Sequence, residues 1–244
     1  TSGVKLYKYD GTYWKTVSNT NGKATFPAVS LGTGNMVLGW SKTQGKNTLS
    51  SSDYKAGDRI PTKNGKYYMV IFGMSMDRAK FDKVYCVGDS RTADTKMALG
   101  VAVPSNVEFI AKWGEGLYWF KSTGYRQLLS SVSKQPKNSK KAVIINLGVN
   151  DLNNGRAYVT YMKKVAANLK KYNCKMYYLS VNPVNSAMIK SVGGKARSEA
   201  QIASFNRTIY KNLCSGKNKS FTYINSCTNL QMKGWISNRH DMGI

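Results

Sequence analysis

Apolar and polar positions change rhythm about a third of the way along the chain. In residues 1–78 the apolar residues come in short runs cut by turn dipeptides. Leu6-Tyr7-Lys8-Tyr9 leads into Asp10-Gly11, Tyr13-Trp14-Lys15-Thr16-Val17 follows, and Asn21-Gly22 marks the next turn. Met36 to Trp40 and, after Asn64-Gly65, Lys66 to Phe72 read as further strands, with no helical period between them. The pattern predicts a small β-rich module over residues 1–78. Met74 to Lys83 reads as a linker.

From Val84 onward strands alternate with helices. Val84 to Val87, Val107 to Ala111, Ala142 to Leu147, Met176 to Val181 and Phe221 to Ile224 are short apolar runs. Between them, Leu117 to Val132, Tyr158 to Tyr172 and Arg197 to Leu213 carry apolar residues at helical spacing. Five strands joined by helical crossovers predict a three-layer α/β/α domain over residues 79–244, built on a parallel sheet with flavodoxin-like winding.

Three loops fall at the carboxyl edge of that sheet, where open α/β folds bind ligands. The first strand runs straight into Gly88-Asp89-Ser90 and then a helix, which exposes the Ser90 hydroxyl beside unpaired helix N–H groups. The same triplet also suits a plain turn with a capping Asp or Ser. After the second strand come Gly114 and Gly116, and after the third Gly148-Val149-Asn150-Asp151. A glycine N–H and an asparagine amide there can aim at one oxygen above the sheet. Each has an ordinary alternative, as a helix-start glycine or an N-cap.

This ordered set resembles the SGNH hydrolases, the GDSL esterase/lipase family, over roughly residues 82–244. The resemblance implies Ser90 as nucleophile, and Gly116 (less well Gly114) and Asn150 as oxyanion-hole donors. Ser180 to Val184 and Phe205-Asn206 are similar to pieces of bacterial members. The family's closing Asp-x-x-His is altered here. His240 is the chain's one histidine, and Ser237 stands three residues before it. One reading makes His240 the general base. Another takes Asp241-Met242-Gly243-Ile244 as the opening of an Asp-Gly-Ile-His type of ending cut before its histidine, with Asp241 the triad acid. Residues 22–73, with Phe26-Pro27, Leu38-Gly39-Trp40-Ser41, Tyr54 to Asp58 and Tyr67 to Val70, resemble the Listeria–Bacteroides type of β-grasp-like surface repeat. That second resemblance implies a secreted or cell-surface protein of a Gram-positive bacterium; an unrelated module with Trp40 in its core is the alternative.

Composition adds one strong feature. Lys and Arg number 37 against 12 Asp and Glu, a net charge of +25. Such a field favours anionic surroundings, among them wall polymers and charged glycans. The positive residues look scattered, with Lys140-Lys141, Lys163-Lys164 and Lys170-Lys171 at helix ends or solvent faces, and no nucleic-acid motif stands out. No run is long enough to span a membrane, no signal peptide leads the chain, and Thr1-Ser2-Gly3 reads as a trimmed start. Cys86, Cys174, Cys214 and Cys227 lack metal spacing, and Cys214 with Cys227 is open to pairing in an oxidising compartment. The expectation is a serine esterase without metal or organic cofactor, acting on short acyl groups such as O-acetyl on glycans. Its rival is an SGNH-fold surface protein that has lost catalysis and binds anionic wall polymers or glycans.

Overall fold

A stack of aromatic rings holds the N-terminal strands together. The computed structural model describes residues 3–9, 11–18, 20–29, 37–61, 65–71 and 81–232. Asp10, Asn64, the linker from Met74 to Lys80 with the boundary at residue 78, Ser237, His240 and Asp241 lie outside them. Strands β1 (Gly3–Tyr7), β2 (Tyr13–Ser18), β4 (Val37–Ser41) and β6 (Lys66–Ile71) form a mixed sheet in the order β2-β1-β6-β4. Between them β3 (Lys23–Thr25) pairs antiparallel with β5 (Arg59–Pro61). Asn21 and Gly22, with φ of 55° and 77°, make the tight turn into β3. Trp40 is buried, stacks on Trp14 at 5.6 Å, and donates its indole N–H to Pro27 O at 3.1 Å. Phe26, Tyr54 and Tyr67 complete the stack. Gly39 lets the chain close over it, since a Cβ there would fall 2.2 Å from Tyr54 O.

The second sheet has five strands, all parallel: β7 (Lys83–Gly88), β8 (Val107–Ala111), β9 (Lys141–Asn146), β10 (Cys174–Leu179) and β11 (Thr222–Ile224). Their order is β11-β10-β9-β7-β8, so the winding reverses between β7 and β9. This is the flavodoxin-like order expected from the sequence. Helices flank the sheet: α1 (Ser90–Leu99), α2 (Leu117–Trp119) continuing through a π-turn (Phe120–Gly124) into α3 (Tyr125–Ser133), α4 (Gly155–Lys170), α5 (Ser186–Ser191), α6 (Glu199–Ile209) and α7 (Ser226–Met232). The sequence pattern missed β3 and β5, too short for alternation to show, and the short helices α5 and α7. No described helix is long and apolar enough to cross a membrane.

Two hydrophobic cores result, one among the N-terminal strands and one around the five-stranded sheet. They touch where α7 ends: Met232 packs against the N-terminal core, and its carbonyl accepts from Lys8 Nζ at 3.2 Å.

One expectation about charge is corrected. Lys141 is not on a solvent face but fully buried at the start of β9, its Nζ donating to Pro136 O (2.7 Å), Ser139 O (2.9 Å) and Tyr172 O (3.0 Å). Three loop carbonyls suit an ammonium with three donors, which no sequence pattern reveals.

All four cysteines are free, and Cys214 and Cys227 are both buried. Burial pushes both of their thiols up to about 12. Near pH 8 they are therefore neutral thiols, and thiolate forms only as the pH climbs toward the folded values. A thiol reagent is expected to leave both unmodified in the native protein and to titrate four thiols in denaturant; two in denaturant would reveal a Cys214–Cys227 bond. Gly88→Ala tests the strand end. Its Cβ would lie 2.0 Å from Thr92 Oγ1 and 2.5 Å from Asn146 O, and the second contact is backbone. A loss of about 3 kcal/mol is expected in urea unfolding.

Candidate active site

Apolar strand β7 stops at Gly88 because the next residues must turn over the sheet edge. Gly88 stands in register with Ala111 of β8 on one side and Asn146 of β9 on the other. Lys112 N–H donates to Gly88 O at 3.2 Å, and Asp89 N–H donates to Asn146 O at 3.3 Å. The segments after three neighbouring strands therefore leave the sheet together.

Asp89 is the N-cap of α1 and is fully buried, accepting from Arg91 N–H at 3.2 Å. It also takes a two-pronged contact from the Arg91 guanidinium, Nε at 2.9 Å and Nη2 at 2.7 Å. Burying both ions costs desolvation, and the bidentate geometry offsets it. Arg91 Nη1 has no acceptor among the described residues. Ser90, between these two, is the first residue of α1 and is partly exposed. It lies at the positive end of the helix, where developing negative charge is favoured.

The two flanking loops are laced to each other. Asn150 donates from Nδ2 to Glu115 O at 2.8 Å, and its Oδ1 accepts from Arg197 Nη2 at 2.9 Å. With one amide hydrogen used, the other remains for a second acceptor. Asp151 caps nothing on its own helix. Its Oδ2 accepts from Leu117 N–H at 2.9 Å, and its Oδ1 from the Tyr158 hydroxyl at 2.7 Å. Burial, with the Tyr178 and Asp151 charges, pushes the Tyr158 phenol well above its ordinary value, so it stays a donor. Gly116 precedes Leu117, and a Cβ on it would come within 2.5 Å of Asp151 Oδ2. Only glycine lets the carboxylate reach the helix start.

Beneath the third loop, Gly148 takes a φ of 123°, and a Cβ there would strike the Phe205 ring at 2.4 Å. Asn206 grips Val181 with both amide atoms, accepting from its N–H at 2.8 Å and donating to its O at 2.9 Å. The Phe205-Asn206 pair thus supports the candidate site from below. Arg197 lies on the near side of a cavity of about 230 Å³, lined also by Asn150, Asp151, Lys195 and Gln201. Its Nε reaches Val149 O at 2.6 Å, and burial lowers its pKa.

Ser90, Gly116 and Asn150 lie on the segments that leave one edge of the sheet after β7, β8 and β9; His240 and Asp241 lie outside the described residues. Asp89 does cap its helix, while the N-cap alternative for Asn150 and Asp151 is not what their side chains do. Sequence reading missed Arg197, Tyr158 and the Asp89–Arg91 pair. Arg197 was legible only as a helix start, 47 residues from its partner Asn150. Among the described residues no group of three His, Cys, Asp or Glu side chains is placed to hold a metal ion.

No family model matches the chain, and no curated protein does. Among solved structures it is similar to a GDSL-like lipase from Bacteroides thetaiotaomicron, at 18% identity over 64% of this chain and 86% of that one, with a TM-score of 0.42. It is similar also to the C-terminal catalytic domain of peptidoglycan O-acetyltransferase A from Streptococcus pneumoniae, at 16% identity over 68% and 81%, with a TM-score of 0.42.

Arg197→Gln strips two hydrogen bonds from the third loop, those to Val149 O and Asn150 Oδ1. A loss of about 1–3 kcal/mol in urea unfolding is expected, with faster exchange of the Asn150 side-chain amide by NMR. The exposed Arg156→Gln serves as the neutral control.

Proposed function

We propose that the α/β portion, from about residue 79, is a serine ester hydrolase of the SGNH type, carried behind the β-rich module. The observation that carries this reading is the position of Ser90. It opens α1 at the point where the sheet reverses its winding, between loops that bear Gly116 and Asn150.

In this reading the Ser90 oxygen attacks an ester carbonyl as a base takes its proton. The carbonyl carbon becomes tetrahedral, and its oxyanion is met by the free Asn150 amide hydrogen and the N–H groups of Gly116 and Ser90. Collapse expels the alcohol, which recovers the proton, and leaves an acyl-enzyme. Water then attacks the acyl carbon and releases the acid. His240 is the one imidazole in the chain and is proposed as the base. Its alternative, with Asp241 as triad acid, leaves the base unassigned. No residue of the scheme requires a metal or organic cofactor.

Short acyl groups, O-acetyl on glycans among them, are the proposed substrates, and the cell surface the proposed setting. The strongly basic chain and its aromatic β module support both.

p-Nitrophenyl acetate is the first test. Turnover is expected, falling by at least about 10³-fold in Ser90→Ala and by roughly 10²–10³-fold in Asn150→Ala. A fluorophosphonate probe is expected to label Ser90. His240→Ala that keeps full rate moves the base elsewhere. Ser90→Ala that keeps full rate, with no label on the serine, removes the hydrolase reading.

A further inference from the structure

Seven of the lysines that look scattered along the chain meet at one place, and it is not the candidate active-site edge. Parallel strands share a direction, so the starts of β9, β10 and β11 lie together at the end of the sheet opposite Ser90. Six-residue strands separate the two ends by about 20 Å. At that far end a cavity of about 920 Å³ opens between the strand starts, α4 and the loop before β11. Lys140, Lys163, Lys170, Lys175, Lys217 and Lys219 line it, all exposed, and no Asp or Glu is among its described lining residues. They come from four separate segments of the chain, which is why no run of charge announced them.

A second, independent observation concerns the floor. The buried Lys141 also lines this cavity. Its ammonium is held by three carbonyls and no carboxylate. A cation buried without a counter-ion is costly, and its field is left uncancelled beneath the groove. It is felt there: it draws down the Cys174 thiol, although burial dominates and holds that group up at about 11. Asp82, just before β7, accepts from Lys140 N–H at 2.7 Å.

We infer that this groove is a binding site for a linear, base-free polyanion of the polyol-phosphate class. The charge favours repeated phosphate, and its spread over several segments suits a chain rather than a single ion. Lys163 and Lys170 lie two helical turns apart on α4, about 10 Å along its axis. The lining aromatics are Phe81 and Phe221. Phe221 is buried and Phe81 is partly buried and packed T-shaped with Tyr177 at 5.9 Å, so the groove lacks the row of open ring faces on which successive nucleic-acid bases stack. A polymer held here leaves the Ser90 edge free. The inference does not depend on the hydrolase reading.

The test is titration of the full chain with polyglycerol phosphate across a range of salt. Binding is expected to weaken at least tenfold in the double variant Lys163→Glu/Lys170→Glu, with a shallower salt dependence. Lys5→Glu/Lys23→Glu, on exposed positions of the N-terminal strands, changes net charge equally and is expected to stay within twofold of the parent. Lys163→Gln/Lys170→Gln, a milder change at the same exposed positions, is expected to weaken binding in the same direction. Equal loss in both Glu pairs would show that only the overall charge matters and would overturn the site. So would absence of binding at low salt, or tighter binding of single-stranded poly(dT) than of polyglycerol phosphate.

Discussion

The candidate site depends on one constraint: β8, β7 and β9 are parallel and in register at their carboxyl ends. Ala111, Gly88 and Asn146 stand side by side, so the loops that follow them rise from one line. A slip of one residue in β7 would reverse which of its side chains face each helical layer and would lift Ser90 out of line with its neighbours. What resists the slip is the difference between the two faces of β7: Tyr85 and Val87 on one are fully buried, while Val84 and Cys86 on the other are only partly so. The backbone ties of Gly88 and Asp89 to both neighbours add to it.

Above that line the chain spends polar groups on position rather than on solvent contact. Asp89 holds Arg91, Asp151 holds Leu117 and Tyr158, and Arg197 holds Val149 and Asn150. Each pairing joins a loop to a helix start or to the next loop. Buried polar groups cost free energy unless satisfied, so these contacts favour one arrangement of the edge over looser ones. Gly116 belongs to the same logic. Its lack of a side chain is required by the Asp151 carboxylate, whatever its N–H does.

What was legible in the sequence follows from the range of the interactions. Strands and long helices announce themselves through periodicity, and β8 and the helical stretch from Leu117 were read nearly residue for residue. The Gly-Asp-Ser turn and the Gly-x-Asn-Asp loop were legible because each is local. Arg197 to Asn150, Asp151 to Leu117 and Phe205 under Gly148 are not local. They join residues 34 or more positions apart, and no local pattern names the partner. The short pair β3 and β5 was missed for a related reason, since three residues are too few to alternate.

Charge shows the same limit more sharply. A net charge of +25 is visible at once, but its address is not. Lys141 looked like half of a surface pair and is the buried floor of a groove. The groove lysines come together because four separate segments of the chain meet at the strand starts. The same sheet then places that cationic end as far as the strands allow from the helix N-terminus that carries Ser90. The basic groove and the candidate Ser90 site thereby lie at separate ends of one sheet, where the field of the one is distant from the other.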